Sequence, residues 1–581
     1  MKNGRGDLRT IRFGVFELDP NAGELRKQGV KVRVQEQPFR ILQMLLDSPG
    51  RVVTREELQT AIWPSNSYVD FDQGLNRSIN KLREALGDSA ENPIFIETLA
   101  KRGYRFLGDV PVRSAVGDSV VVLPFVNMSA DPENEYFADG ITEEIINALA
   151  QIRELHVVAR SSAFSFKGKH IDPRVVGEQL NVRTVLEGSL RRAGNQLRIT
   201  AQLVSAADGF HLWSERYDRE MKDVFAIQDE IARSIALRLQ ISFAGDDAGP
   251  LVKAGTQNLE AYEAYLKGRV LLYRRGATIP RALESCKRAV TLDPEYALAW
   301  AGLADAHTAL GYYGFMRPEA TMPKAIEAAR RAVALDASLA EAHTALAMAC
   351  LMGTWDKTEA EREFLQALEL NPRYAQARGW YAVFYLQTSG RYVEGIAQAR
   401  MAEQSDPLSA YASAIYGLAC GIAGNFAEAT PACARAVALD PDSYLAHWSQ
   451  QCVLYLSGRF EEAAAEGEVA LSMSGRHCWA MWTLALTCAD SGKPEDAGAL
   501  YAEMLARARR QYVPPVPLAI AAAAAGMEAQ AVIHAEEAFE IHDPHCQFFF
   551  SRYFHATERL YAYRGFREVI ARNGRGAWLG N

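Results

Sequence analysis

Apolar positions in the first hundred residues recur with two different periods. Leu75, Ile79, Leu82 and Leu86 stand three or four apart, which predicts an amphipathic helix from Asp70 to Leu86 with one buried stripe. Pro38 to Leu46 reads as an earlier amphipathic helix that ends at the turn pair Pro49-Gly50. Between the two, Thr54 to Trp63 reads as a helix opened by Thr54 as N-cap, with Glu57 three residues on as a capping box, and stopped by Pro64. After Gly87 the period changes: Ile94 to Leu99 and Tyr104 to Leu107 are strand-like, with Lys101, Arg102 and Gly103 at the turn between them.

The face of the third helix opposite its apolar stripe carries Gln73, Asn76, Arg77, Asn80 and Lys81. These amide and cationic side chains can form bidentate hydrogen bonds to base edges or contact phosphate oxygens. A charged helix face alone is ordinarily just solvated; the basic hairpin beside it is what points to DNA. The stretch Pro49-Gly50-Arg51-Val52-Val53-Thr54-Arg55-Glu56-Glu57-Leu58, then Trp63, Gly74-Leu75-Asn76, Lys81 to Gly87, Ile96 to Leu99 and Arg102 to Phe106 resembles the OmpR/PhoB-type winged-helix DNA-binding domain. In detail it is similar to the transmembrane CadC/ToxR-like regulators and their soluble HilA-like relatives, over about residues 11 to 108. The resemblance implies a small antiparallel sheet at Phe13 to Val34, turning at Asn21-Ala22-Gly23. It also implies that the third helix enters the major groove and the hairpin, as a wing, the neighbouring minor groove. Gln73, Asn76, Arg77, Asn80 and Lys81 would then lie near bases, Lys101 and Arg102 at the minor groove, and Arg55, Trp63 and Tyr104 at phosphates.

Length and charge change the picture beyond that domain. A chain of 581 residues exceeds one domain several-fold, since a domain takes roughly 100–200 residues. The formal net charge is −8, and residues 1–110 carry 17 Lys and Arg against 15 Asp and Glu. Positive potential is therefore local and modest, which predicts weak non-specific DNA binding and a need for dimerisation, tandem sites or a partner. The apolar runs Val120 to Phe125 and Val516 to Met527 are too short or too Ala-rich to span a bilayer, and Met1 to Asp7 has no apolar signal core. The expectation is a cytoplasmic protein without a membrane anchor, unlike the tethered members of the resembled family; Gly108 to Ser114 stands where their transmembrane helix would follow. All eight cysteines, Cys286 to Cys546, lie in the second half without Cys-x-x-Cys pairs or zinc spacing, and read as buried thiols.

Gly390, Gly424, Gly458, Gly492 and Gly526 stand 34 residues apart at every step, a tetratricopeptide ladder. Five residues past each comes Gly395, Ala429, Ala463, Ala497 or Ala531, and twelve past comes Ala402, Ala436, Ala470, Met504 or Ala538, where helices must approach closely. Pro294, Pro372, Pro407 and Pro441 end repeats. About eight units run from Ala261 to Asp543; Gly311 to Pro318 lengthens one of them, and a final helix near Phe548 to Ile570 caps the stack. Such a solenoid is expected to expose a concave groove lined by first helices, and Trp300, Trp380, Tyr411, Trp448 and Trp482 fall on those helices as packing or as contacts to a peptide or protein partner.

The middle reads as strand Val120 to Phe125, helix Ile141 to Leu149, strand Leu155 to Ala159, helix Val175 to Leu180, strands Thr184 to Arg191, Leu197 to Val204 and Phe210 to Tyr217, and helix Val224 to Leu239. It resembles the small α/β domain at the start of TolB, found also in winged-helix–tetratricopeptide regulators, some of whose relatives carry a cyclase domain in place of the winged helix. No cyclase motif, Walker loop or Gly-x-Ser-x-Gly elbow stands here, and His156, His170 and His211 have no grouping spacing. The domain is a structural adaptor or holds a ligand pocket. The fold class is multidomain α+β: a winged helix-turn-helix at 1–111, a linker at 112–118, a TolB N-terminal-like α/β domain at 119–245, a linker at 246–258, and an all-α tetratricopeptide solenoid at 259–575. The function expected is a sequence-specific, non-enzymatic transcriptional regulator with no cofactor or metal and no receiver domain ahead of the winged helix. Its partners would be promoter double-stranded DNA, a protein or peptide in the repeat groove and, as a further candidate, RNA polymerase; no membrane is expected, and oligomeric state stays open. The rivals are a tetratricopeptide scaffold whose winged helix docks protein, and an enzyme with its site in the middle domain.

Overall fold

The structure, a computed structural model, describes residues 11–13, 16–19, 23–27, 30–46, 51–62, 71–90, 93–99, 102–107, 118–131, 134–150, 152, 155–239, 255–549 and 556–573. It falls into two compact units, Met1–Ala115 and Val116–Asn581.

In the first unit, β1 (Ile11–Phe13), β2 (Phe16–Asp19), β3 (Glu24–Lys27) and β4 (Val30–Val32) form an antiparallel four-stranded sheet in chain order. Helix α1 (Glu36–Leu46) follows, then β5 (Val52–Thr54), α2 (Arg55–Ile62), α3 (Phe71–Leu86) and the hairpin β6 (Ile96–Leu99) and β7 (Gly103–Phe106). The capping box forms as the sequence suggests: Glu57 N–H donates to Thr54 Oγ1 at 3.2 Å and Thr54 N–H to Glu57 Oε2 at 2.7 Å. What the sequence reading omits is β5, which pairs with β7 and turns the hairpin into a three-stranded sheet. Gly103 is required at that crossing, because a Cβ there would lie 2.1 Å from the Val53 carbonyl oxygen. Leu75, Ile79, Leu82 and Leu86 are buried against Phe39, Leu42, Ile96 and Phe106 in one core.

In the second unit, β8 (Ser119–Val122), β9 (Val126–Asn127), α4 (Asn134–Ala150), β10 (His156–Val157), α5 (Arg160–Phe164), α6 (Pro173–Leu180), β11 (Thr184–Ala193), β12 (Gln196–Ser205), β13 (His211–Glu220) and α7 (Val224–Arg238) build a mixed sheet. Its order is β10-β8-β11-β12-β13, with β9 also on β11. Helix α5 is not predicted from sequence, since its N-terminus is capped from far away: Ser162 N–H and Oγ–H donate to Asp406 Oδ1 at 2.8 and 2.6 Å.

Eight helical hairpins then stack: α8 (Leu259–Arg274) with α9 (Ile279–Leu292), α10 (Ala297–Tyr312) with α11 (Pro318–Leu335), α12 (Ala340–Gly353) with α13 (Lys357–Leu370), α14 (Ala375–Trp380) with α15 (Tyr392–Ser405), α16 (Ala410–Ile422) with α17 (Phe426–Leu439), α18 (Tyr444–Leu456) with α19 (Phe460–Met473), α20 (Cys478–Asp490) with α21 (Pro494–Ala508), and α22 (Pro515–Ala524) with α23 (Glu528–Glu540). Helix α14 continues as a π-helical stretch over Tyr381–Leu386. The glycine ladder has a backbone cause. Gly390, Gly424, Gly458, Gly492 and Gly526 all hold φ between 73° and 80°, ending each first helix in the left-handed region, and none has a neighbour a Cβ would strike. The expected single capping helix is instead a 3₁₀ segment at Pro544–Phe549 followed by α24 (Ala556–Ala562) and α25 (Arg564–Arg572). The sheet and the solenoid share one core, in which Tyr262, Tyr265 and Tyr296 of the repeats pack with residues such as Phe137, Ile141 and Ile231. A buried carboxylate fastens them as well, Glu143 of α4 pairing with Arg269 of α8 at 2.6 Å and with Arg160 of α5 at 3.0 Å.

Candidate nucleic-acid interface

Helix α3 turns two unlike faces outward and inward because its polar residues interleave with the leucine stripe at helical period. Gln73, Asn76, Arg77, Asn80 and Lys81 are all exposed, while Leu75, Ile79, Leu82 and Leu86 are at most 3% exposed. Arg77 and Asn80 have no side-chain partner among the described residues. Lys81 Nζ donates to Gln35 Oε1 at 2.8 Å, which holds the ammonium beside the start of α1. Arg102 is exposed at the turn of the hairpin.

Asn76 differs from its neighbours in having a fixed orientation. Its Oδ1 accepts from Arg55 Nη2 at 3.0 Å and from the Tyr104 hydroxyl at 2.9 Å. A guanidinium only donates, so the amide oxygen must face Arg55 and the Nδ2 donors must face away. Nδ2 has no partner among the described residues. The donor-plus-acceptor pairing that an asparagine can make with adenine is therefore closed to Asn76 in this arrangement, and what it offers is two donors to an acceptor on a base edge or phosphate. Tyr104 sits behind this amide and is 3% exposed, its hydroxyl also accepting from Arg55 Nη1 at 3.4 Å. It orients Asn76 from within; the phosphate contact assigned to it from the sequence does not fit a side chain so covered. Arg55 is half-buried beside it. Trp63 and Lys101 lie outside the described residues, as do most of the two linkers.

Two polar groups that sequence reasoning misses, one buried and one half-buried, hold the helix and wing together. Arg83, 6% exposed, donates through Nη2 to the Ile96 carbonyl at 2.6 Å and to Thr98 Oγ1 at 2.9 Å. Asp88 accepts backbone N–H bonds from Ser89, Ile94, Phe95 and Ile96, at 2.7 to 3.2 Å. The signal was present in Arg83, which falls beside the apolar stripe of α3 rather than on its polar face.

Residues 29–106 match the C-terminal domain family of transcriptional regulatory proteins. This segment is an OmpR/PhoB-type winged helix. Residues 117–234 match the second domain of HilA/YgeH-like transcriptional regulators, and residues 356–410 and 422–476 match tetratricopeptide repeats. A Rhizobium meliloti (strain 1021) protein named as a candidate adenylate cyclase is 40% identical over 220 residues, 37% of this chain and 38% of that one. The cholera toxin homolog transcriptional activator of Vibrio parahaemolyticus is 37% identical, over 16% of this chain and 32% of its own length. The transcriptional regulator HilA of Salmonella typhi is 21% identical over 473 residues, 78% of this chain and 75% of its own. The chain thus spans well under half of the first two relatives. Among solved structures, the Klebsiella pneumoniae RstA DNA-binding domain in complex with RstA box is 28% identical, with a TM-score of 0.16, covering 17% of this chain and 98% of that one.

Of the two roles the sequence leaves open to the aromatic set on the repeats, packing is the one the side chains take. Trp448 and Trp482 are 5% and 2% exposed and belong to the core of the solenoid. The half-buried Trp300 donates from Nε1 to the Pro294 carbonyl at 2.8 Å, and Trp380 donates to the Tyr411 hydroxyl at 3.0 Å, while the Arg275 guanidinium lies 3.8 Å over the Tyr411 ring. The concave side is filled rather than open. Tyr312 and Tyr313, where the lengthened repeat departs, pack on Trp479 at 4.9 and 5.4 Å, Tyr312 stacks on His545 at 5.0 Å, and the Tyr313 carbonyl meets His477 Nε2 at 3.0 Å. Helix α22 is apolar around its whole circumference, α12 is so from Ala345 onward, and both are buried accordingly. A cavity of about 70 Å³ is left between Arg269, Tyr273, Arg275, Asp305, Tyr313 and Trp380. A larger cleft of about 750 Å³ lies where the β11–β12 turn and the start of α4 meet α8 and α9, with Arg192 paired to Glu263 at 2.7 Å and Arg288 to Glu260 at 3.2 Å across its walls.

No helix among the described residues is long and apolar enough to cross a membrane, and no group of three or more His, Cys, Asp or Glu among them is arranged to hold a metal.

Proposed function

We propose that the chain is a sequence-specific transcriptional regulator that reads promoter DNA through α3 and the wing, acts without catalysis, and presents its sheet-and-solenoid unit to protein partners, RNA polymerase among them, in the cytoplasm. The observation that carries this reading is the exposed ridge of Gln73, Asn76, Arg77, Asn80 and Lys81, with Asn76 locked by Arg55 and Tyr104 so that its donors face outward. Arg77 is the residue expected to contribute most sequence discrimination, because a free guanidinium on a groove-facing helix pairs bidentately with guanine. The named regulators among the relatives support the same reading. The filled concave side of the solenoid directs protein partners to its outer surfaces.

The test is a DNA titration on a promoter fragment located by footprinting, repeated across a salt series. Affinity should fall linearly in log[salt] as counterions are reacquired, and Arg77→Ala should weaken specific binding by about 1–3 kcal/mol. Binding that ignores salt, or an Arg77→Ala protein indistinguishable from the parent, would replace this reading with a winged helix that docks protein.

A further inference from the structure

The middle sheet ends on β13, ten residues long, whose outer edge has no strand beside it among the described residues. The opposite edge, β10, is only two residues long and gives little to pair with. Unpaired edges of this length recruit another strand unless they are covered or blocked. Trp213 and Tyr217, 8% and 3% exposed, anchor β13 to its own domain. Ser214, Glu215, Arg216, Asp218 and Arg219 are exposed around them.

We infer that this edge pairs with β13 of a second copy of the chain, antiparallel about a two-fold axis at Tyr217, so that two middle sheets become one. The charge order carries the inference. Glu215, Arg216, Tyr217, Asp218 and Arg219 read minus, plus, neutral, minus, plus. With Tyr217 opposite its own copy, Glu215 of each chain faces Arg219 of the other and Arg216 faces Asp218, four opposite-charge pairs and no like-charge pair. Slipping the register by one residue opposes Glu215 to Asp218 in one direction and Arg216 to Arg219 in the other. Slipping by two puts Arg216 on Arg216 or Asp218 on Asp218. Charges that would ordinarily block an edge thus select one register of self-pairing. Within one chain Asp218 already lies between Arg198 Nε at 2.5 Å and Arg216 Nε at 3.0 Å, so the pairs across the axis would join an existing ionic ladder. Leu212, 45% exposed, falls just past each end of this seven-residue ladder (Ser214 to Glu220), beside Lys222 of the other copy, where its side chain gains cover.

The experiment is sedimentation velocity on the full chain without DNA, so that its outcome does not depend on the DNA-reading proposal. The parent chain should sediment as a dimer at micromolar concentration. Arg219→Glu sets two carboxylates against each other twice and should give a monomer with an unchanged circular dichroism spectrum. The double variant E215R/R219E restores opposite charges in swapped positions and should return the dimer. A parent chain that is monomeric throughout, a dimer unaffected by Arg219→Glu, or a double variant that stays monomeric while folded would each overturn the inference.

Discussion

Replacing Asn76 by Asp exchanges one heavy atom, the amide nitrogen for a carboxylate oxygen, and separates the role of this side chain in the fold from its role at DNA. Oδ1 keeps its place, accepting from Arg55 at 3.0 Å and from Tyr104 at 2.9 Å. The new carboxylate makes the Arg55 contact an ion pair at a partly exposed site, which adds between zero and about 1 kcal/mol of stability. The melting temperature of the winged helix should therefore hold or rise slightly. At DNA the same change removes both outward donors, a loss of about 1–3 kcal/mol if they meet a base edge. It also places a negative charge near phosphates, which in water costs about 1 kcal/mol for each unit charge at about 4 Å. Together these give about 2–4 kcal/mol, or roughly 30- to 1,000-fold in Kd at about 1.4 kcal/mol per factor of ten. Fluorescence anisotropy on the footprinted promoter, beside a thermal melt of each protein, measures both quantities. A variant that melts like the parent and binds within twofold of it would refute the placement of Asn76 at the groove. Equal loss of binding and of folding would instead refute the assignment of Oδ1 as its structural half.

Two further outcomes follow from the second unit. Asp406 is 5% exposed and receives both donors of Ser162. Asp406→Ala should cost about 1–3 kcal/mol by leaving buried donors unpaired, seen as faster amide hydrogen exchange over residues 160–164; unchanged exchange would show that α5 does not need its distant cap. Burial raises the carboxyl of Glu144 to about 8 and that of Asp305 to about 7. Between their ordinary values and these, the folded unit holds protons that the unfolded chain has released, so its stability falls as pH rises. Its melting temperature should be higher at about pH 6 than at about pH 9, and Glu144→Gln with Asp305→Asn should flatten that slope; a melting temperature that climbs with pH would contradict the burial of both groups.

What the sequence disclosed depends on how far apart the causes lie along the chain. The stripe of α3 and the Thr54–Glu57 box are local, set by residues within a few turns, and were legible without a structure. The glycine ladder was legible for a related reason: one backbone requirement, positive φ at the end of a first helix, recurs every 34 residues and leaves the same residue each time. Strand β5 was hidden because three residues carry no period, and only their pairing with β7 makes them a strand. Helix α5 was hidden for a sharper reason, since its cap comes from Asp406, 244 residues away from Ser162.

The groove expectation shows the same limit at the scale of the whole solenoid. Aromatic residues on first helices are open to two roles, packing or lining a concave face, and the second is sound for a stack whose ends stay apart. Here the lengthened repeat carries Tyr312 and Tyr313 across to Trp479 and His545, more than 160 residues on, and the concave side closes on itself. The composition held a sign of this. The first helix Pro515–Ala524, and Ala340–Gly353 from Ala345 onward, lack the polar face that an exposed groove requires, and an all-round apolar helix must be covered on every side. Reading a repeat protein for a binding groove therefore begins with whether its first helices have a side that water can bear, and only then with which aromatic residues stand on them.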